Sequence, residues 1–294
     1  MSLASVTGNG EATVREPLQA FREEIGALGY KEGSDIQWEV GYGDFSVERT
    51  SRLAADAVAG KPDLIFAQHF AVITFARLTK TMPIVVIFSG DLVEAGVVKS
   101  LAQPGGNITG VQLMNNELVG KRIEVLQRIV PTIKSLAILA APGHPGLSSE
   151  RDASMATATR LGLSAAFHPV TNLREVDAAL EVAKASDADA LLLFPDPVTL
   201  AGRERIAEFA LQNKMPLVSG WDNYALAGGL VTYGPNLSQA WRRAAHYADR
   251  ILKGTKPGDL PIEQPTVFEL VINRKTANSS ASASRSRFSC KPTG

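Results

Sequence analysis

The residues best placed to do chemistry in this chain follow short apolar runs. Gln68, His69 and Phe70 come after Leu64 to Ala67, and Ser89, Gly90 and Asp91 come after Ile84 to Phe88. Gly143 and His144 lie in the loop Ala141 to Ser148, Asp196 lies between two prolines after Ala190 to Phe194, and Trp221, Asp222 and Tyr224 follow Leu217 to Ser219. What these types offer is recognition: a hydroxyl at Ser89 for an anion, a carboxylate at Asp196 or Asp222 for an ammonium group, and aromatic faces at Trp221 and Tyr224 for a ring. Several of these loops, and Thr7 to Glu11, open helices whose free N–H groups and positive dipole ends favour a carboxylate.

Each position also has a purely structural reading. Asp196 precedes Pro197 and suits a helix cap as well as a ligand contact. Asp91 reads as a ligand contact or as the cap of the next turn. Trp221 reads as a ligand face or as lobe packing. His69 and Phe70 are large rings where a small residue is commoner at a helix start, so they shape a pocket or form a lid over the core. Tyr233, beside Gly234, reads as hinge packing.

Bond-making chemistry has no foothold. Gly8-Asn9-Gly10 lacks the third glycine of a dinucleotide fingerprint, and no GxxxxGK[ST], GxSxG or HExxH segment occurs. The four histidines, His69, His144, His168 and His246, are spread without metal-ligand spacing. His168 precedes Pro169 at a strand end, and His246 beside Tyr247 reads as surface or filler. No cofactor, metal or catalytic residue is therefore expected.

The elements that must position these loops alternate almost throughout. Leu18, Phe21, Ile25 and Leu28 mark a first helix ending at Gly29, and Ile36 to Val40 reads as a strand. Helices at Leu53 to Val58 and Val72 to Leu78 separate the strands Leu64 to Ala67 and Ile84 to Phe88, giving a doubly wound lobe. Pro104-Gly105-Gly106-Asn107 launches Ile108 to Leu113 and a crossing. A second set follows, with helices at Leu118 to Ile129, Val176 to Ala185 and Arg203 to Gln212 and strands at Leu136 to Ala140, Leu163 to Phe167, Ala190 to Phe194 and Leu217 to Ser219. Leu230 to Tyr233 reads as the return crossing, Ser238 as the cap of a helix carrying Ala244, Ala245, Ala248 and Ile251, and Thr266 to Ile272 as a third strap or strand. The division expected is lobe 1 over 1–110, lobe 2 over 111–229, a return to lobe 1 over 230–265, a third strap with a strand of lobe 2 over 266–277, and a disordered Ser/Arg-rich tail over 278–294. The fold class is α/β, two Rossmann-like lobes with a cleft at their strand ends.

Thirty basic residues balance thirty acidic ones, so no net field draws the chain to nucleic acid or anionic lipid. No apolar run approaches the roughly 18 to 20 residues that span a bilayer. The lone Cys290 excludes a disulfide framework within one chain.

Ordered motifs carry a resemblance over about Phe21 to Thr276. They are LGYKEG (Leu28 to Gly33), KPDLIFA (Lys61 to Ala67), MPIVVIFSGDLVEAGVVKSLAQPGGNITG (Met82 to Gly110), GKRIEVLQRIVP (Gly120 to Pro131), LLLFPDP (Leu191 to Pro197), AGGLVTYGPNL (Ala227 to Leu237), RILKGTKPGDLPIEQPT (Arg250 to Thr266) and FELVINRKTA (Phe268 to Ala277). With these the chain resembles the ABC-transporter substrate-binding proteins of the tryptophan/tyrosine type, which have the type I periplasmic binding protein fold. The resemblance implies a non-enzymatic monomer that binds a small carboxylate-bearing solute, an aromatic or other apolar amino acid, and delivers it to ABC permease membrane subunits. It implies a periplasmic or lipid-anchored extracytoplasmic location, with any signal peptide already removed. The alternative is the ligand-sensing core of a transcription regulator or signalling receptor. The chain departs from the family at His69-Phe70, where relatives carry a small Gly-Thr type pair, and at Leu92, where they carry proline. Leu3 to Val6 reads as the remnant of a first strand.

Overall fold

Strands with both faces covered lose the polar half of their pattern, and the runs Leu64–Gln68 and Ile84–Phe88 are buried at every position. In the computed structural model, which describes residues 1–278, they form the middle of a five-stranded parallel sheet. Its order is β2 (Gln37–Tyr42), β1 (Ser2–Thr7), β3 (Leu64–Gln68), β4 (Ile84–Phe88) and β5 (Ile108–Gln112). Helices α1 (Glu11–Ala27), α2 (Val47–Ala59) and α3 (Phe70–Leu78) are the crossovers. β1 has six residues, longer than Leu3 to Val6, and pairs on both sides.

The second sheet has six strands in the order β11 (Phe268–Ile272), β10 (Val231–Pro235), β9 (Leu217–Ser219), β8 (Ala190–Leu193), β6 (Ser135–Ala140) and β7 (Ser164–Pro169). Only β11 is antiparallel. Burial is broken along β2, β7 and β11, which lie at sheet edges. Helices α4 (Asn115–Ile129), α5 (Leu147–Arg160), α6 (Val176–Ala185), α7 (Pro197–Ala201), α8 (Arg203–Gln212) and α9 (Asp222–Leu226) connect it. Helix α10 (Leu237–Leu252) returns to the first lobe beside α1, where Phe66 stacks on Phe21 at 4.4 Å and meets Trp241 edge-on at 5.0 Å.

The return crossing lies later than the sequence indicates. Val231–Pro235 pairs with β9 and β11, so residues 231–235 belong to the second sheet rather than to a segment returning to lobe 1. A β-branched run ending in a glycine reads alike as strap and as strand. The crossing falls at Asn236, whose side chain accepts from the Gln239 N–H at 2.9 Å and caps α10 in place of Ser238, which lies inside the helix. Three straps thus join the lobes: Leu113-Met114, Asn236, and residues 264–267. The first and third are tied by the Gln112 N–H on the Glu263 carbonyl at 2.9 Å. The tail expectation lies, from residue 279 on, outside the described residues.

Gly110 sets the approach of β5 to β4. Its φ of +143° is outside the range of L side chains, and a Cβ there would lie 2.2 Å from the Val86 carbonyl oxygen. Gly110→Ala should lower the unfolding free energy by about 3 kcal/mol or more, combining backbone strain with overpacking, as read from denaturant midpoints.

Candidate functional site

Both sheets turn their strand carboxyl ends to one seam, where open α/β folds bind ligands. The cavity there is about 20 Å³. Asn9, Gln68, His69 and Ser89 line it from the first lobe, Leu200 and Trp221 from the second, and Trp241 of α10 closes one side. A water needs roughly 10–15 Å³ of such space, so the lobes are shut on each other. Direct contacts agree. A Cβ on Gly90 would lie 3.0 Å from the Pro145 carbonyl group, and Ser149 Oγ donates to the Glu94 carboxylate at 2.9 and 3.1 Å. A larger cavity of about 150 Å³ lies between the straps, bordered by Val111, Asn236 and the Arg243–Glu263 ion pair. None of the loops that follow β3, β4, β8 and β9 lines it, and its charged groups already satisfy each other.

On the first lobe, β3 delivers Gln68 and His69 to the seam. His69 starts α3 with φ +53° and ψ −138°, a conformation natural to glycine and strained for histidine. Its ring is buried and its Nδ1 has no partner. Burial, aided by the facing His144, pulls its pKa down to about 3, so the ring is neutral near neutrality. Phe70 lies over Gly8, where a Cβ would lie 2.4 Å from the ring, and so packs on the first-lobe loop rather than on the cavity.

On the second lobe a buried polar chain holds the seam loops. Arg122 on α4, wholly buried, bonds to Glu150 on α5 at 2.9 Å, to the Tyr233 carbonyl at 2.9 Å and to Asn115 Oδ1 at 3.2 Å. Burial lowers the guanidinium pKa, and Glu150 raises it in opposition. The other Glu150 oxygen meets His144 Nε2 at 2.9 Å. A carboxylate only accepts, so His144 donates from Nε2, and its Nδ1 has no partner.

The structure brings together Gln68, His69, Ser89 and Trp221 at the cavity, with Gly90 and His144 at the adjoining seam. It places the remaining candidates elsewhere. Asp196 is the cap of α7: Oδ1 accepts from Val198 and Thr199, and Oδ2 from the Ala141 N–H at 2.8 Å. Burial raises its pKa, opposed by His144 and those three N–H groups. Asp91 caps its turn through the Val93 and Glu94 N–H groups. Tyr224 is core, with its hydroxyl 2.8 Å from Thr199 Oγ1. Asp222 is half-buried at the start of α9 and bonds to the Asn223 N–H; burial and Glu269 raise its pKa. Gly143 is exposed. Residues the sequence reading did not single out complete the lining: Asn9 within the Thr7 to Glu11 loop, Thr13 and Val14 one turn into α1, and Leu237 with Trp241, spaced i, i+4 on α10.

Comparisons with known proteins follow this geometry. The profile of the family described as ABC transporter substrate binding protein matches residues 10–286. A tyrosine-binding protein of Clostridioides difficile is 25% identical over 259 residues, covering 88% of this chain and 74% of its own. A conserved domain protein from Vibrio cholerae superposes with a TM-score of 0.87 at 24% identity, over 95% of this chain and 94% of that one. An ABC domain from Streptococcus pneumonia in complex with L-Trp gives 0.87 at 21% identity over the same shares. A ligand-free, open substrate binding protein from Clostridium difficile, also 21% identical, gives 0.69 over 100% of this chain and 96% of its own.

The two second-lobe carboxylates should part in a stability assay. Asp196→Ala strands three buried N–H groups and should cost about 2–4 kcal/mol in denaturant unfolding. Asp222→Ala should cost about 0.5 kcal/mol or less.

Proposed function

The chain belongs to the ABC transporter substrate binding protein family, and from that premise we propose that it captures a small carboxylate-bearing solute, an aromatic or other apolar amino acid, between its lobes for delivery to the permease of an importer. It works as a monomer outside the cytoplasm, in the periplasm or held by a lipid anchor, and performs no covalent step. The observation that carries this reading is the cavity at the closed seam. Its walls are apolar at Val14, Ile87, Leu113, Leu200 and Trp241, while three buried polar atoms of its lining residues have no partner: Asn9 Oδ1 and His69 Nδ1 on the first lobe and Trp221 Nε1 on the second. Trp221 offers a donor for a carboxylate and Asn9 an acceptor for an amino group, and a solute that meets both bridges the lobes. The relative named for tyrosine and the neighbour holding L-Trp support an aromatic amino acid. Among the described residues no helix is long and apolar enough to cross a membrane, which fits a partner of the permease rather than the permease itself.

Bridging is what makes closure a signal. A solute bound equally well by open and closed lobes shifts nothing, whereas one that touches both favours the closed form by its extra contacts. Micromolar binding corresponds to about 8 kcal/mol, enough to hold the lobes together if a third of it depends on the second lobe.

Native mass spectrometry of the purified protein should find a co-purifying amino acid. L-tryptophan or L-tyrosine at a hundredfold excess over Kd should stabilise the fold by about 2.7 kcal/mol in thermal unfolding. Trp221→Ala should weaken calorimetric affinity about tenfold. Absence of any shift across a panel of amino acids and other small carboxylates would remove the reading.

A further inference from the structure

Beside the cavity the two lobes touch along a rim, residues 90–94 against residues 145–149, and none of these residues lines the cavity. Gly90 follows β4, while Pro145 and Gly146 lead into α5. A Cβ on Gly90 would first meet the Pro145 carbonyl carbon and oxygen at 3.0 Å and the Gly146 nitrogen at 3.1 Å, all backbone atoms of the other lobe. A Cβ on Gly146 would meet Asn116 Oδ1 of its own lobe at 2.9 Å and the Gly90 Cα at 3.3 Å. Both glycines are buried in the closed form, and neither has a positive φ. What they provide is therefore room for one backbone to lie against another, not conformational freedom.

Charge joins the contact one turn further on. Glu94 of the first lobe accepts the Ser149 hydroxyl on its two carboxylate oxygens, at 2.9 and 3.1 Å. Ser149 stands in the first turn of α5, whose cap residue Gly146 supplies no side-chain bond, and the positive end of a helix dipole favours a carboxylate there. The turn carrying Glu94 is fixed within its own lobe. Asp91 accepts from the N–H groups of Val93 and Glu94, and the Leu92 N–H donates to Gln112 Oε1 of β5 at 2.9 Å.

An empty cavity works against closure, because shutting it leaves Asn9 Oδ1, His69 Nδ1 and Trp221 Nε1 buried and unpartnered. The rim contacts need no solute. We propose that residues 90–94 and 145–149 form a solute-independent latch, in which the Gly90–Gly146 backbone contact and the Glu94–Ser149 bond hold part of the empty protein closed and so set affinity without touching the solute. Its strength decides how much a solute must add. If the closed form is the one that binds, lowering its empty population about tenfold raises Kd about tenfold, and by the same factor for every solute. The inference rests on the reading of the seam as a solute site that opens and closes, and adds a part of it that no solute contacts.

The test uses the whole chain. Gly90→Val meets no positive φ and puts its methyl groups against Pro145 of the other lobe, so it should wedge the rim apart. The ligand-free variant should then have a larger radius of gyration by small-angle scattering than the ligand-free wild type. Gly90→Ala, whose lone methyl meets Pro145 at 3.0 Å, should fall between the two, and it carries the comparison if the valine variant does not fold. With L-tryptophan and L-tyrosine as calorimetric probes, Kd should rise about tenfold in Gly90→Val, by the same factor for both. Ser149→Ala, which removes the bond to Glu94, should raise it about twofold. Equal radii in the glycine variants and the wild type would overturn the latch, and so would a Kd that stays unchanged or that shifts for one probe alone. If neither amino acid binds the wild type, the amino-acid reading falls, and the scattering comparison decides the latch.

Discussion

The second half of the seam depends on one buried cation. Arg122 has no exposed surface, and a guanidinium in that setting costs several kcal/mol unless its hydrogen bonds are filled. Glu150, Asn115 and the Tyr233 carbonyl fill them, so α4, α5 and β10 are fastened at one point. Gly220 belongs to the same arrangement: a Cβ there would lie 2.6 Å from Arg122 Nη2, so the loop carrying Trp221 passes the guanidinium only because it has no side chain at that position. The carboxylate that neutralises Arg122 on one oxygen orients His144 with the other. Structural charge and site geometry are therefore one network. Removing Glu150 would leave a buried charge uncompensated and release the His144 ring together.

The sequence made the centre of the fold readable and its margins less so. Runs such as Ile84 to Phe88 have no polar position to confuse them, and their strand ends gave Gln68, His69, Ser89 and Trp221. β10 was ambiguous because a strap and an edge-proximal strand share the same β-branched, glycine-bounded pattern. Asp196 was ambiguous for a different reason: a carboxylate before proline at a strand end has one sequence signature and two fates. Only the three N–H groups around it in space decide. Arg122 was missed although a signal existed. It lies on the apolar face of α4 with Leu118, Val119, Ile123 and Leu126, where an arginine needs a buried partner. Glu150 gave no such sign, because the buried face of α5 is itself polar, with Ser154 and Thr157.

The first-lobe half follows a different logic, in which strain rather than charge marks the site. A turn from β3 into α3 at φ +53° is available to glycine without penalty, and a histidine there holds a conformation worth of order 1–3 kcal/mol against folding. That residue also fills space, which is why the seam retains only about 20 Å³. A ring-bearing solute does not fit in that volume. The lobes must open to admit it and reclose to a wider angle, or His69 must take another rotamer. On the reading of the seam as the solute site, His69 then limits how much room reclosure can leave.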